Sequence, residues 1–301
     1  MSGSLLSTAI WLIVFTAVPP CGAPESSVAR RGNLRPVDRA GYRFERTPER
    51  IVSLNPDLTE NVIALGAGDR LVGVSDFCPL PSAGTAVRLG GLQNPGLERI
   101  LSLRPDLVLA TREGNSPETV ARLRTLGVEV CVFEEARDFT AYFSFLRDLG
   151  ALLGREEAAA GRIGEMEAAI ERVRSGPLPP EPVSVFVQIG LQPLITASRG
   201  TLIGEMVEIA SGQNIAASLP ARYPVFSREQ VLIDDPEVII VAAMGSEAAA
   251  SAAFWERFSE LRAVKKGRVH ILDPDTVCRL GPRLVEGLER IAGFLAGGRG
   301  E

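Results

Sequence analysis

The chain has 301 residues, of which 46% are hydrophobic and 23% charged, a composition typical of folded globular proteins and not of disordered ones. Its formal net charge of -5 gives it no bulk electrostatic attraction to nucleic acid. The single histidine, His270, excludes a histidine-rich metal site, and the four cysteines are too widely spaced for a CxxC-type metal motif. The length predicts about two domains.

The first 23 residues have the character of an export leader. Residues 5–18 form an apolar run of signal-peptide length that is too short to cross a bilayer comfortably. Pro19, Pro20 and Cys21 follow, so cleavage, lipid anchoring at Cys21 and a retained N-terminal anchor all stay open. Residues 24–48 lack apolar periodicity and are predicted to be a linker. We therefore expect the rest of the chain to reach the periplasm or another extracytoplasmic location, with or without a membrane anchor.

From residue 49 onwards, short apolar runs alternate with segments of helical periodicity. The predicted strands cover residues 51–54, 71–74, 106–110 and 128–133, and the predicted helices cover residues 59–65, 97–103 and 117–126. Gly66 and Gly127 stand at the expected C-terminal cap positions. Strands that alternate with helices across short loops predict a mainly parallel sheet. We assign residues 49–152 to an N-terminal α/β lobe.

A long helical segment separates this lobe from a second one. Residues 156–174 contain few helix breakers and end in a segment rich in proline and glycine at 176–182. We assign residues 153–176 to a connecting helix and 177–298 to a C-terminal lobe. Its predicted strands are 183–189, 238–242 and 269–272, and its predicted helices are 202–210, 254–262 and 282–296. The predicted fold is α/β: two Rossmann-like lobes with mostly parallel sheets, joined by one long backbone helix.

The two lobes share an internal repeat. Residues 97–109 and 228–240 have a glutamate, an apolar pair, a proline and an acidic residue at identical spacing, each followed by an apolar strand. Residues 126–130 are similarly echoed by 266–270. Two sequence matches in the same order predict that both lobes contain the same structural unit.

The sequence carries none of the common catalytic motifs. GxSxG, GxxxxGK[ST] and HExxH are all absent, and no GxGxxG follows a predicted strand. His270 alternates with apolar residues in a predicted strand, and Cys131 and Trp255 lie in apolar segments, so we expect structural roles for all three. We predict no catalytic residue, no resident cofactor and no metal site.

The combination of motifs resembles the periplasmic cobalamin-binding proteins, within the Fe/B12 type (class III) of substrate-binding proteins of ABC importers. The resemblance runs from about residue 49 to about 296, and it is carried by RIVSLNP at 50–56, VGV at 72–74, LERI at 97–100, RPDLV at 104–108 and SREQV at 227–231. It implies a monomer that delivers a small metal chelate to a permease, most of all a corrinoid. A ferric siderophore or haem is the alternative ligand. An enzyme or metallocluster domain that reuses the fold would need a Cys/His ligand set that this chain lacks.

The resemblance also implies where the ligand and the permease bind. Glu98 and Glu229, the glutamates of the internal repeat, match the residues that pair with permease arginines. Ligand contacts are expected from loops at the C-terminal ends of the strands: Asn55, Asp76, Phe77, Cys78, Arg112, Asn115, Gln192, Arg222, Tyr223 and Arg279.

Two features of this set bear on the ligand. The three arginines are expected to meet anionic groups such as a phosphate, a propionate or a catecholate. Phe77 and Tyr223 are the aromatic residues near loop tips, whereas the positions at which aromatics flank the corrin in the family hold Leu92, Thr111, Ile195 and Thr276. Cys278 is expected to border the cleft in the same way as Cys78.

Overall fold

The computed structural model describes residues 46–80, 85–177, 179–243 and 247–297. The predictions for the leader, Cys21 and nearly all of the linker lie outside these residues. Within the described ranges no helix is both long and apolar enough to cross a membrane.

The N-terminal sheet is fully parallel. Its strands are β1 Ile51–Ser53, β2 Leu71–Val74, β3 Val87–Arg88, β4 Leu107–Thr111 and β5 Val130–Phe133, arranged in the order β3-β2-β1-β4-β5. Helices α1 Pro56–Ala64, α2 Leu97–Ser102 and α3 Pro117–Thr125 connect them. β1 is buried along its whole length, as expected for the central strand of a parallel sheet that is covered on both faces.

Two helices lead from the first lobe to the second. Helix α4 Phe139–Leu153 ends at Gly154, whose φ of 64° is the left-handed conformation that glycine adopts at low cost. Helix α5 Glu156–Ser175 follows as one continuous helix of 20 residues, which confirms the predicted connecting helix. It packs against α4 on one side and against helices of the second lobe on the other.

The C-terminal sheet is mixed. Its strands are β6 Val183–Gly190, β7 Ile195–Thr196, β8 Gly212–Asn214, β9 Val238–Val241 and β10 Val269–Ile271. The order is β10-β9-β6-β7, β8 also pairs with β6, and β7 is the antiparallel strand. The helices of this lobe are α6 Leu202–Ile209, α7 Arg228–Asp234, α8 Glu247–Glu256, α9 Arg262–Lys265 and α10 Leu284–Leu295.

One hydrophobic core runs through both lobes. It joins Ile51 of the first sheet to Val185 of the second through Tyr142 on α4, Ile163 on α5 and Leu288 on α10. A smaller cluster covers the other face of each sheet. Because the helices between the lobes belong to the shared core, rotating one lobe against the other would expose buried apolar surface.

The internal repeat is confirmed in the backbone. Arg104 and Asp235 occupy equivalent positions after α2 and α7, and both adopt left-handed φ angles, 46° and 44°. Gly127 and Gly267, from the second echo, have φ angles of 80° and 63°. Such angles are uncommon for residues other than glycine, so their recurrence at matched positions indicates a repeated structural unit.

Some elements differ from the sequence prediction. The helix predicted at 254–262 is wrong, because α8 ends at Glu256 and α9 begins at Arg262. Strands β3, β7 and β8 were not predicted, since two of them have only two residues and β8 (GQN) has no apolar pattern. The structural roles of Cys131, Trp255 and His270 are confirmed by their burial. The His270 ring stacks on Phe294 with the ring centroids 4.2 Å apart.

Candidate functional site

The cleft between the lobes is bordered on the N-terminal side by the loops that follow β1 and β4. Asn55 caps α1 by accepting a hydrogen bond from the Asp57 backbone N–H, and its Nδ2 donates to Thr111 Oγ1 at 3.1 Å. Asn115 is 3% exposed, and its side chain accepts from the Thr111 backbone and donates to the Leu54 and Leu92 carbonyls. Its amide already holds these loops together, and its role as a ligand contact stays a prediction.

The loop after β2 presents one large apolar side chain and buries another residue that was predicted to bind ligand. Phe77 is 65% exposed, and Asp76 is exposed and accepts a hydrogen bond from the Gly90 backbone. Cys78 is 3% exposed, and its thiol lies 3.0 Å from Ser75 Oγ. Burial raises the pKa of this thiol, which disfavours the thiolate. Cys78 is therefore a core residue in this structure, and its role as a ligand contact stays a prediction that this burial does not favour.

A narrow cavity lies between the two lobes. The N-terminal lobe contributes the loop after β5, and the C-terminal lobe contributes the start of α6 and two further loops. Its lining residues are Glu135, Ala136, Arg137, Thr201, Leu202, Arg222, Tyr223, Val277, Cys278, Arg279 and Leu280. The predicted ligand residues Arg222, Tyr223 and Arg279 thus meet in one place, whereas Asn55, Asp76, Phe77, Arg112 and Gln192 lie outside the lining of this cavity.

Two ion pairs cross between the lobes at this cavity. Arg222 Nη1 donates to Glu135 Oε2 at 2.6 Å, and Arg279 Nη1 donates to Glu60 Oε1 at 2.9 Å. Arg279 also contacts Asp275 at 3.1 Å. Because the side chains of both cross-lobe pairs are about one-third exposed or less, solvent screens them less than it screens surface pairs. Two of the three arginines predicted to meet ligand anions are thus bound to the protein's own carboxylates.

Helix α1 holds the backbone of the opposite lobe. Asn61 Nδ2 donates to the Leu280 carbonyl at 2.6 Å, and its Oδ1 accepts from the buried Tyr142 hydroxyl at 2.8 Å. Asp57 accepts a backbone hydrogen bond from Leu280. We call the contacts of Asp57, Glu60 and Asn61 with residues 279–281 the interlobe clasp.

Asp57 has an unusual ionisation within the clasp. Burial is the main cause that raises its pKa to about 7, and the nearby Glu60 and Glu135 carboxylates add to the effect. The Leu280 hydrogen bond and Arg279 oppose it without cancelling it. Near neutral pH the carboxyl is therefore poised between its neutral and charged forms.

Of the remaining residues predicted to border the cleft, Arg112 and Gln192 are exposed and Cys278 has a weakly reactive thiol. Arg112 is mostly exposed and pairs with Glu134 at 3.4 Å, and Gln192 is exposed. Cys278 lines the cavity, but burial raises the pKa of its thiol to about 12. In the part of the chain that the structure describes, no group of three or more His, Cys, Asp or Glu side chains could hold a metal ion.

Glu98 and Glu229 both lie at the second position of a short helix, on α2 and α7 respectively, and both are exposed. Neither lines the cavity between the lobes. Glu229 is paired with the adjacent Arg228 at 2.7 Å. Their matched places in the internal repeat put one exposed carboxylate on each lobe.

Sequence reasoning missed Arg137, Glu135 and Glu60. Arg137 and Glu135 follow strand β5, a position equivalent to the other cleft loops, and this position was the available signal for both. Glu60 lies inside the predicted helix 59–65, where nothing local distinguishes it from a solvated helix acid.

Two α/β lobes joined by a backbone helix, with a cleft at the carboxyl ends of the strands, define a class III binding protein. A family profile described as periplasmic binding protein matches residues 51–276, so the chain belongs to that family. It is 32% identical over 257 residues to the vitamin B12-binding protein of Pectobacterium atrosepticum, covering 83% of this chain and 89% of that one. It is 29% identical over 301 residues to the uncharacterized ABC transporter substrate-binding lipoprotein YvrC of Bacillus subtilis, covering 94% and 95%.

A solved structure shares both fold and sequence. The periplasmic vitamin B12-binding protein BtuF of Vibrio cholerae superposes with a TM-score of 0.70 at 30% identity, covering 82% of this chain and 96% of that one. These similarities confirm the family resemblance and the two-lobed α/β fold.

Proposed function

We propose that this chain is the substrate-binding component of an ABC importer and that it carries a corrinoid between its lobes. The similarity to vitamin B12-binding proteins over most of the chain supports the ligand, and the similarity to an ABC transporter substrate-binding lipoprotein supports the transport role. The protein would work outside the cytoplasm, in the periplasm or tethered through its N-terminus. No catalytic step is proposed.

The observation that carries the ligand proposal is the exposure of large apolar side chains on loops of both lobes. Phe77 and Leu80 on the N-terminal lobe are 65% and 53% exposed, and Tyr223 and Val225 on the C-terminal lobe are 39% and 68% exposed. Burying such side chains would contribute a stabilising free energy of about 25 cal/mol per Å² of apolar surface, which is absent while they stay in water. Exposed apolar groups clustered around a cleft are typical of a binding site. A corrin ring has apolar faces that would cover them.

Haem is the second candidate, because Tyr223 places a phenol at the cavity. Iron(III) is held by the phenolate form of tyrosine. Burial raises the pKa of the Tyr223 phenol, and the Glu135 carboxylate raises it further. Forming the phenolate at neutral pH therefore has an additional cost in this environment, which makes haem the weaker candidate.

Glu98 and Glu229 are proposed to dock the permease. Carboxylates at equivalent, exposed places on the two lobes are suited to a partner with two matching arginines. A helix-start glutamate is also explained by the helix dipole. Two related glutamates on a two-lobed chain favour docking over this local explanation.

The ligand proposal is tested by titrating the purified full chain with cyanocobalamin, dicyanocobinamide, haemin and a ferric tris-catecholate. Calorimetry and visible absorption should show corrinoid binding at one site per chain. The variant Tyr223→Phe keeps the ring and removes the phenol, so it should retain corrinoid affinity within about twofold, whereas haem ligated by the phenol would lose affinity. Binding of haemin without any corrinoid binding would replace the proposed ligand with the second candidate.

A further inference from the structure

Arginines line the cavity between the lobes, but the protein neutralises two of them itself. Arg222 is bound by Glu135 and Arg279 by Glu60 and Asp275, at distances from 2.6 to 3.1 Å. A ligand anion that approached either arginine would have to displace a carboxylate that is already hydrogen-bonded. Displacement leaves a partly buried carboxylate without its partner, which is strongly unfavourable.

Arg137 differs from both. It lines the same cavity from the loop between β5 and α4, and its side chain is exposed. Within the described residues it has neither a hydrogen-bond partner nor an ion-pair partner for its guanidinium. Its acidic neighbours are engaged elsewhere, since Glu135 binds Arg222 and the Asp138 carboxylate caps α4 by accepting from the Ala141 backbone at 2.7 Å.

Resting on the proposed function, we infer that Arg137 is a ligand-binding residue that contacts a single anionic group, the phosphodiester of a nucleotide-bearing corrinoid. A guanidinium can hold two phosphate oxygens at once through parallel charge-assisted hydrogen bonds. The other polar groups of such a corrinoid are mostly neutral amides, which do not require further free cations. One uncommitted arginine therefore matches the charge of this ligand class.

The same balance of charges acts against the competing ligands. The carboxylates of Glu60, Glu135 and Asp275 outnumber by one the two arginines that bind them, Arg222 and Arg279. Haem has two propionates and a ferric tris-catecholate carries several negative charges, so each would add to this excess with one uncommitted arginine to offset it. Like charges held close together repel one another, and more strongly where they are partly buried. The cleft thus selects ligands with little net negative charge.

The test compares two corrinoids that differ in the phosphodiester. Dissociation constants are measured by calorimetry for cyanocobalamin, which has the phosphodiester, and for dicyanocobinamide, which lacks it. The full chain is compared with Arg137→Ala, Arg137→Lys and the control Arg122→Ala, which removes an exposed arginine on α3. Because Arg137 is exposed and its guanidinium makes no hydrogen bond or ion pair with the described residues, its variants should fold normally, which circular dichroism checks.

Arg137→Ala should weaken cyanocobalamin binding roughly 10-fold, the factor expected for one charge-assisted hydrogen-bonded contact, and should change dicyanocobinamide binding less than about twofold. Arg137→Lys should recover part of the loss, and Arg122→Ala should change neither constant. Equal losses for both corrinoids would overturn the phosphate contact, as would no loss for either. If the unaltered chain binds neither corrinoid, the proposed function itself fails and this inference falls with it.

Discussion

Replacing Asp57 with asparagine should stabilise the protein in a pH-dependent way. The carboxyl group lies in the interlobe clasp, where burial and the Glu60 and Glu135 carboxylates raise its pKa from 3.8 to about 7. Asparagine has nearly the shape of the protonated aspartic acid and keeps an oxygen that accepts the Leu280 hydrogen bond. It cannot acquire the charge that the site disfavours.

The direction and magnitude of this stabilisation follow from the protons that the folded and unfolded chains bind. Between pH 4 and pH 7 the folded chain keeps a proton on Asp57 that the unfolded chain releases, so the free energy of unfolding falls as the pH rises through this window and is level above it. A difference of about 3 between the two pKa values corresponds to about 4 kcal/mol when fully expressed. Asp57→Asn avoids this loss, so its advantage should be below about 1 kcal/mol at pH 4 and about 2–4 kcal/mol at pH 8.

Thermal unfolding of the full chain at these two pH values tests the prediction. For a chain of this size, 1 kcal/mol corresponds to roughly 2–4 °C in Tm. The control is Asp69→Asn, which alters an exposed aspartate outside the clasp and should shift Tm little at either pH. A loss at pH 8 would show that Asp57 acts as a charged partner of Arg279, and an equal gain at pH 4 and pH 8 would show that its ionisation does not set the effect; either result would make the reasoning wrong.

Three further predictions concern transport, the clasp and lobe motion. The double variant Glu98→Ala, Glu229→Ala should lower the uptake of cobalt-labelled cyanocobalamin roughly 10-fold or more, measured in cells that lack their own copy of this protein. Its affinity for the ligand should be unchanged. A matching loss of affinity would place these glutamates in the cleft. Gly281→Ala puts a Cβ 2.7 Å from Glu60 Oε2, the end of a flexible side chain, and should lower the free energy of unfolding by about 1 kcal/mol or less by displacing Glu60 from Arg279. Gly293→Ala, with open space around its Cβ inside α10, should not lower it, and equal effects of the two variants would contradict the clasp. Small-angle scattering should show that the radius of gyration changes by less than about 1 Å on ligand binding, because α5 belongs to the core of both lobes. A large change would indicate a flexible hinge.

The sequence by itself determined the architecture. Runs such as 71–74 and 107–110 are strands because uninterrupted apolar residues can be buried on both faces of a parallel sheet. The helix α5 was predictable because its apolar spacing is local and no proline or internal break interrupts it. The internal repeat was also visible, since matched glutamates and prolines need no knowledge of the fold.

The tertiary structure alone decided how the charges in the cleft are paired. Arg222 and Glu135 are 87 positions apart, and Arg279 and Glu60 are 219 apart, so no local pattern connects them. The sequence also could not show that Arg137 lines this cavity or that the neighbouring Glu135 and Asp138 carboxylates bind other groups. The physical reason is that an ion pair across two lobes depends on how the lobes are oriented. That orientation is set by packing in the shared core, to which residues from the whole chain contribute.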